Sequence, residues 1–294
     1  MMTLTQLAER FPSDDACYEY LVSMRWPDGA SCPSCSSAKV YRLKGGTSRR
    51  WVCKGDAHGG KNYNFSVLVG TIFENTNIAL RTWFQTILLM CQSKKGISAL
   101  QIQRMLGLGS YRSAWYMCHR IRAAMESGEF TKLMGQVEVD ETYVGGRYEN
   151  RHRSERKRRA GTRTKVPVVA AIARKGKVVA RVIEHADIPT LDGFVKEVVS
   201  EKVSLVATDE HWGYSKLAAG GYRHETVKHR AGEYARGIVH TANLDSFWAM
   251  LKRGIVGSYH QVSKKYLPFY LAEFTFRHNN RKHPDLFSAV IAAC

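Results

Sequence analysis

One run of apolar residues, VSLVATDE at 203–210, narrows the possible folds of this chain more than any other segment. A strand that is apolar at both odd and even positions is buried on both faces, which is typical of a central strand in a sheet covered by helices. Around it, the patterns predict a strand within 135–146, a hairpin at Gly176, a helix in LDGFVKEVVSEK and two helices near the C-terminus. We therefore expect an α/β domain with a mixed sheet over residues 131–294.

The chain changes character twice before this domain. Residues 1–24 have apolar residues at helical spacing with a break at Pro12, whereas residues 25–75 are rich in Gly, Ser and aromatic residues. An apolar helix is predicted over 78–92. We divide the chain into three regions: an N-terminal helix plus a metal-binding ribbon (1–76), a helical DNA-binding region (77–130) and the α/β domain (131–294).

Cysteine spacing in the first region predicts a metal site. The chain has seven cysteines and no secretion signal, so a disulfide scaffold is not expected. Cys32 and Cys35 lie on a Pro-containing knuckle, and Cys53 with His58 supplies a second pair on a hairpin. Three thiolates and one imidazole form a tetrahedral ligand set for structural Zn²⁺. Asp56 and Cys17 are the alternative ligands, and the pattern also allows Cys53 and His58 to be ordinary residues.

The segment SKKGISALQIQRMLGLGSYRSAWYMCHRIRAAM is typical of a helix-turn-helix. Ser98 is placed to cap the first helix, and Gly107 with Gly109 supplies the turn. The second helix carries basic side chains that are candidates for DNA contact: Arg112, Arg120 and Arg122. A plain helical hairpin gives the same pattern.

The charge balance favours a polyanionic partner. Lys and Arg total 44 against 26 Asp and Glu, a formal net charge of +18. The Arg-rich segment 147–165 is expected to form a loop between two strands that binds DNA phosphates, although a solvated loop without a specific role is the alternative. The further candidates for DNA contact are Arg156, Lys157, Arg158, Arg159 and Arg253. Since no apolar run of about 18 residues is present, no membrane span is expected, and we expect a cytoplasmic protein.

Three acids stand at positions suited to phosphoryl chemistry. Asp140 follows one predicted strand, Asp209 follows the central strand, and Asp245 lies on a predicted helix with Lys252 two turns later. Strand ends line the binding crevice of an open α/β sheet. Converging carboxylates repel one another unless divalent cations lie between them, and Mg²⁺ prefers oxygen ligands. The alternative is that each acid caps a turn or pairs with an Arg.

Several segments resemble the bacterial DDE insertion-sequence transposases that carry an N-terminal zinc ribbon. They are VEVDETYVGG, TDEHWGY, HTANLDSFWAMLKRGIVGSYHQVSKKYL and YLAEFTFRHNNR, with CPSC, WVC and FSVLVGTIFENT in the ribbon. The resemblance covers roughly residues 15–285 and follows the order of the family's motifs. It implies a ribonuclease-H-like catalytic domain whose three acids are Asp140, Asp209 and Asp245, followed by the lysine Lys252.

The resemblance also implies a chemistry, cofactors and partners. Water hydrolyses a phosphodiester at the end of the element, and the freed 3′-hydroxyl attacks target DNA. Two Mg²⁺ or Mn²⁺ ions are implied when DNA is bound. Asp140 bridges the two ions, Asp209 holds one of them and Asp245 holds the other. The expected partners are double-stranded DNA, as terminal inverted repeats and target, and a second copy of the chain, at the bacterial nucleoid.

The chain departs from the family pattern at three points. Asp245 stands where Glu or Asn is common, and His58 replaces a close Cys in the ribbon. Where the family tends to have His-x-Asn, the chain has His240-Thr241-Ala242 with Asn243 one position later, which makes Asn243 a secondary candidate. A catalytically decayed DNA-binding protein and a nuclease without strand transfer are therefore the alternatives. Because neighbours on a strand point to opposite faces, Glu141 is expected to have a supporting or structural role. Trp248 is expected to pack its helix onto the sheet.

Overall fold

The computed structural model describes residues 2–43, 49–126, 131–145, 165–228, 231–233 and 235–294. The chain forms two compact units, Met1–Ser127 with His283–Cys294, and Gly128–Lys282. The last helix of the chain, α9 (Leu286–Ala293), lies in the first unit. It is apolar on one side, and its Phe287 ring packs edge-on against Phe84 of the same unit, with ring centroids 5.5 Å apart.

The helices of the first unit follow the predicted pattern. Helices α1 (Leu4–Arg10) and α2 (Asp14–Arg25) are separated at Pro12, and Ser13 caps α2. The other helices are α3 (Leu80–Gln92), α4 (Ala99–Leu106), α5 (Tyr111–Glu126) and the last helix of the chain. Ser98 caps α4 by accepting a hydrogen bond from the Gln101 amide, and Gly107 ends it at φ +64°, a conformation that glycine adopts without strain. The helix pair predicted over 98–125 is therefore present.

A small antiparallel sheet lies between α2 and α3 in the sequence. Its strands are β1 (Val40–Arg42), β2 (Trp51–Cys53) and β3 (Tyr63–Phe65), in that spatial order. A short 3₁₀ turn, Asp56–His58, follows β2. This is the ribbon that the alternating strands predict, and it places Cys53 at the end of its central strand.

The second unit contains a five-stranded mixed sheet in the order β6-β5-β4-β7-β8. Strand β5 pairs antiparallel with both β4 and β6, whereas β7 pairs parallel with both β4 and β8. The strands are β4 (Gln136–Val144), β5 (Val166–Ala173), β6 (Val178–Val182), β7 (Leu205–Thr208) and β8 (His224–Thr226). Two short strands, β9 (Ala235–Arg236) and β10 (Val239–His240), form a separate hairpin. This arrangement confirms the predicted mixed α/β fold with a flanked sheet.

Helices cover both faces of this sheet. Helix α6 (Ile188–Val198) packs on the face that carries Val137, Val139 and Val206. Helices α7 (Ala242–Gly254) and α8 (Leu267–Asn279) share the opposite core, which includes Val168 and Ile172. Fully burying one such side chain stabilises the fold by roughly 1.5–3 kcal/mol, so the two cores fix the register of each strand.

Helix α8 (Leu267–Asn279) has a proline at its start. Pro268 occupies the first turn of this helix. Proline is compatible with that position because the first amide groups of a helix have no partner within the helix. Within the described residues, no helix combines the length and apolar character needed to cross a bilayer.

Candidate active site and zinc cluster

Two of the predicted acids lie side by side in the large sheet, where the neighbouring strands β4 and β7 stop pairing. Strands β4 and β7 run parallel, and their last paired residues are Glu138 and Ala207. Asp140 and Asp209 each lie two residues beyond that pair, where the pairing of the two strands ends. Asp209 directly follows β7, as predicted, whereas Asp140 lies inside β4 and not after it, which corrects its predicted position at a strand end. Their side chains each contribute an oxygen to a group of atoms that lie within 4.8 Å of one another.

Glu141 contributes the third carboxylate of this group, which corrects its expected supporting role. Its side chain does start on the other face, where the Tyr214 hydroxyl donates to Glu141 Oε2 at 2.8 Å. However, β4 extends past the last residue of β7, so no strand separates this face of β4 from Asp209. The Glu141 side chain therefore extends past the end of β7, and its carboxylate lies close to those of Asp140 and Asp209.

Negative charge accumulates in this group. Burial raises the pKa of Asp140 to about 7, and the charges of Asp209 and Glu141 raise it as well. Burial and the charge of Asp209 also raise the pKa of Glu141, against the hydrogen bond from Tyr214. A divalent cation removes this repulsion, and three carboxylates are the oxygen donors that Mg²⁺ and Mn²⁺ prefer. The donor set therefore fits a divalent metal.

Helix α7 (Ala242–Gly254) carries the remaining predicted residues, Asp245 and Lys252. Trp248 packs in the core, as expected, and its indole Nε1 also donates to Asp140 Oδ2 at 2.8 Å. Asp245, three residues earlier, is exposed, and its charge contributes to the raised pKa of Asp140. Among the described residues, however, Asp245 is not part of the group within 4.8 Å. Asp245 thus flanks the carboxylate group, and Lys252 is exposed two turns further along α7.

Glu138 holds the start of α7, a role that the sequence analysis missed. This side chain is 0% exposed, and its Oε2 accepts the backbone amides of Asn243 at 2.9 Å and Leu244 at 3.3 Å. Its Oε1 accepts Arg174 Nε at 2.9 Å and Asn243 Nδ2 at 2.7 Å. The carboxylate therefore satisfies first-turn amides and faces the positive end of the helix dipole. The Asn243 side-chain nitrogen donates to Glu138, and the secondary role of Asn243 as a metal ligand stays a prediction.

The four predicted zinc ligands of the first unit also converge. Atoms of Cys32, Cys35, Cys53 and His58 lie within 4.8 Å of one another. Cys32 Sγ is 3.5 Å from His58 Nε2, and Cys35 Sγ is 3.7 Å from Cys53 Sγ. Tetrahedral zinc with ordinary bond lengths requires separations of about 3.6 Å between S and N and about 3.8 Å between two S atoms. The observed separations match, so the cluster fits zinc.

Local contacts prepare this cluster for a cation. Burial raises the pKa of the Cys32 thiol, but hydrogen bonds from the Cys35 and Ser34 backbone and from His58 outweigh it and lower the pKa to about 6. The Gly55 amide donates to Cys53 Sγ at 3.2 Å. A thiolate is the form that binds zinc, so these contacts favour the ligating state.

The two alternative zinc ligands lie outside the cluster. The Asp56 side chain is 99% exposed and lies 3.8 Å from Lys39 Nζ. Cys17 is buried in α2, and burial raises the pKa of its thiol to about 12. Neither belongs to the group of four atoms found among the described residues. His58 is therefore the fourth member of the set.

The candidates for DNA contact on α5 (Tyr111–Glu126) differ in their surroundings. Arg112 is exposed. Arg120 donates to the backbone carbonyls of Glu74 at 3.0 Å and Thr71 at 3.4 Å, so its guanidinium anchors a neighbouring loop. Arg122 is only 2% exposed, which corrects its assignment as a surface contact. The sequence analysis selected basic residues on this helix without separating its buried face from its exposed one.

The other candidates for DNA contact are partly described. Arg253 on α7 is exposed, and its Nε donates to the Ala249 carbonyl at 3.1 Å. Four candidates lie outside the described residues: Arg156, Lys157, Arg158 and Arg159. Their contact with DNA stays a prediction from the sequence.

Comparison with known proteins assigns the family. A family model described as the ISXO2-like transposase domain matches residues 132–279, half of the chain and nearly all of the second unit. The chain belongs to the ISXO2-like transposases. A model described as the transposase zinc-ribbon domain matches residues 12–55 of this transposase, which include three of the four clustered zinc ligands. The resemblance found in the motifs is therefore confirmed.

Two individual proteins match this transposase at low sequence identity. A protein of Halobacterium salinarum (strain ATCC 700922 / JCM 11081 / NRC-1), described as an uncharacterized protein in transposable element ISH50, is 27% identical over 298 residues. The match covers 93% of this chain and 94% of that protein. Among solved structures, a chain of the simian T-cell lymphotropic virus intasome in complex with PP2A regulatory subunit B56 gamma is 11% identical. That match has a TM-score of 0.30 and covers 66% of this chain and 65% of that chain.

Proposed function

We propose that this transposase hydrolyses a phosphodiester at each end of an insertion sequence and then joins the freed 3′-hydroxyl to target DNA. The observation that carries the proposal is the convergence of Asp140, Asp209 and Glu141 where the parallel pairing of β4 and β7 ends. In this partly buried group, burial and neighbouring charges raise the pKa of Asp140, and a divalent cation held there would suit phosphoryl transfer. A basic chain with such a site is suited to hold and cut DNA.

The metal roles are proposed from this geometry together with the family. Asp140, Asp209 and Asp245 would hold two Mg²⁺ or Mn²⁺ ions when DNA is bound. Bound there, the cations supply Lewis-acid activation of the nucleophile and stabilisation of the leaving oxygen. Glu141 is an additional ligand candidate because it lies closer to Asp140 and Asp209 than Asp245 does. Lys252 is proposed to contact a DNA phosphate.

The chain's own residues hold the acids in place. Trp248 Nε1 fixes one oxygen of Asp140 at 2.8 Å, and the His211 amide donates to Asp209 Oδ1 at 3.0 Å. Tyr214, which is 1% exposed, fixes Glu141 through its hydroxyl. Each carboxylate therefore has one oxygen directed by a hydrogen-bond donor of a neighbouring residue. Such preorganisation is how phosphoryl-transfer sites obtain most of their rate.

The binding partners form part of the same proposal. The exposed Arg112 and Arg253, with the Arg-rich segment 147–165, are proposed to hold double-stranded DNA as inverted repeats and target. One structural Zn²⁺ on the Cys32 cluster is proposed to stabilise the ribbon. A homodimer on DNA, working at the bacterial nucleoid in the cytoplasm, would bring two ends together. The convergence of the carboxylates does not favour a decayed, purely DNA-binding protein.

A strand-cleavage and joining assay tests the proposal. The purified chain, a plasmid carrying two terminal inverted repeats and Mg²⁺ or Mn²⁺ are expected to give cleaved and joined products. Asp140→Ala should abolish both products and leave the DNA affinity within about twofold, since phosphate contacts dominate affinity. Glu197→Gln, which removes an exposed carboxylate paired with Arg181, is the matched control and should keep full activity. Equal activity of Asp140→Ala and the unaltered chain would refute the proposal.

A further inference from the structure

The indole of Trp212 is exposed beside the carboxylate group. It begins the 3₁₀ turn Trp212–Tyr214, shortly after β7, and is 60% exposed, whereas Gly213 and Tyr214 are buried. Single exposed aromatic side chains are ordinary on protein surfaces, so exposure alone assigns no role. The contacts of its neighbours make Trp212 different.

Every neighbour of Trp212 in the turn is tied to the acids or to the core. The His211 amide donates to Asp209 Oδ1 at 3.0 Å, and His211 Nε2 lies 3.7 Å from Glu141 Oε1. The Gly213 amide donates back to His211 Nδ1 at 3.1 Å, and the Tyr214 hydroxyl donates to Glu141 at 2.8 Å. The position of Trp212 is therefore coupled to the position of the carboxylates.

The turn has no room to move toward the core. A Cβ atom at Gly213 would lie 2.5 Å from Leu191 Cδ1 and 2.9 Å from His211 Nδ1, so the backbone sits directly on α6 (Ile188–Val198). The Trp212 ring lies 5.7 Å from the His211 ring at an interplanar angle of 35°. The structure thus offers a flat, uncharged surface on the turn whose His211 and Tyr214 contact Asp209 and Glu141.

The chemistry of this surface selects its ligand. An indole cannot neutralise phosphate, so a purely electrostatic contact with the DNA backbone gains nothing from it. Nucleobases stack on such rings regardless of sequence, provided that they are unpaired or turned out of the duplex. We propose that Trp212 is a stacking platform for an unpaired nucleobase next to the phosphate that is cut, a role that rests on the proposed function of the carboxylate group.

Binding measurements without catalysis test this role. The full chain in Ca²⁺ is titrated with two fluorescently labelled duplexes of equal length, one blunt and one with three unpaired thymidines at a 3′ end. Trp212→Ala should weaken binding of the frayed duplex by about 5- to 100-fold, the range found when a stacked aromatic residue is removed. The affinity for the blunt duplex should change less than twofold. Trp212→Phe should restore most of the preference because it keeps an aromatic face.

The controls separate stacking from other roles of the indole. Met134→Ala removes a second apolar side chain, 58% exposed, from the same unit and should affect neither duplex. An equal loss on both duplexes, no loss on either, or a changed oligomeric state without a specific effect on the frayed DNA would overturn the proposal. Because no cleavage is measured, a failure of the proposed catalytic function would show up separately, as absent products in the plasmid assay.

Discussion

The strongest energetic prediction concerns Asp140 in the absence of metal. Its pKa in the folded protein is about 7, against an ordinary value of 3.8, chiefly because the side chain is buried and secondarily because Asp209 and Glu141 are near. The folded state therefore keeps a proton that the unfolded state releases as the pH rises through this interval. Because of Asp140, the free energy of unfolding of the metal-free protein falls by about 4 kcal/mol as the pH rises from about 4 to about 7.

Asp140→Asn removes this titration while keeping the shape of the side chain and an acceptor for Trp248. In chelator, the variant should gain stability relative to the unaltered chain as the pH rises, by about 4 kcal/mol above pH 7. Chemical unfolding followed from pH 4.5 to 8.5 measures the difference. Adding a divalent cation should then reduce the stability difference between the two proteins, because only the unaltered site binds the ion well. Glu197→Gln is the control: its hydrogen bond with Arg181 lowers the pKa of Glu197, so this group titrates below the measured pH interval and the effect of the substitution should not change across it. A stability difference independent of pH would refute the electrostatic argument.

Three further predictions address the anchors, the ribbon and DNA contact. Glu138→Ala should lower the free energy of unfolding by about 3–5 kcal/mol in denaturant titrations, because the charge of Arg174 stays largely buried without its partner. The exposed control Glu197→Ala should lower it by less than about 1 kcal/mol. Replacing Cys32 and Cys35 together by Ser should remove about one equivalent of zinc by elemental analysis, and a chain that purifies without zinc would contradict the ribbon assignment. Lys252→Ala should reduce the slope of log affinity against log salt by about 1 in DNA titrations, and an unchanged slope would exclude the phosphate contact.

The fold follows from the sequence wherever hydrophobic pattern decides. The apolar run at 203–210 predicts a central strand, and Leu205–Thr208 is such a strand, buried on both faces. The parallel register of β4 and β7 then brings Asp140 and Asp209 together, as predicted, although Asp140 lies inside β4 and not at its end. The cysteine spacing likewise predicts the zinc set, because ligand chemistry restricts the choice of residues.

The remaining details depend on where neighbouring elements end. Glu141 joins the acids because β7 stops before β4 does, and no periodicity in the sequence reports that difference. Glu138 resembled an exposed strand residue by residue type, yet it is fully buried because helix α7 places its unpaired amides there. Burial of Arg122 reflects the packing of α5, which its charge does not predict. Such contacts arise from tertiary structure.

The position of the metal ions tests the account most directly. Crystals of the full chain with an inverted-repeat DNA end and Mn²⁺ would locate the ions by anomalous scattering. The account predicts two ions about 4 Å apart next to the DNA phosphate, with Asp140 in contact with both and Asp209 in contact with one. Anomalous density that avoids Asp140 and Asp209, or carboxylates neutralised by basic side chains in place of ions, would contradict it.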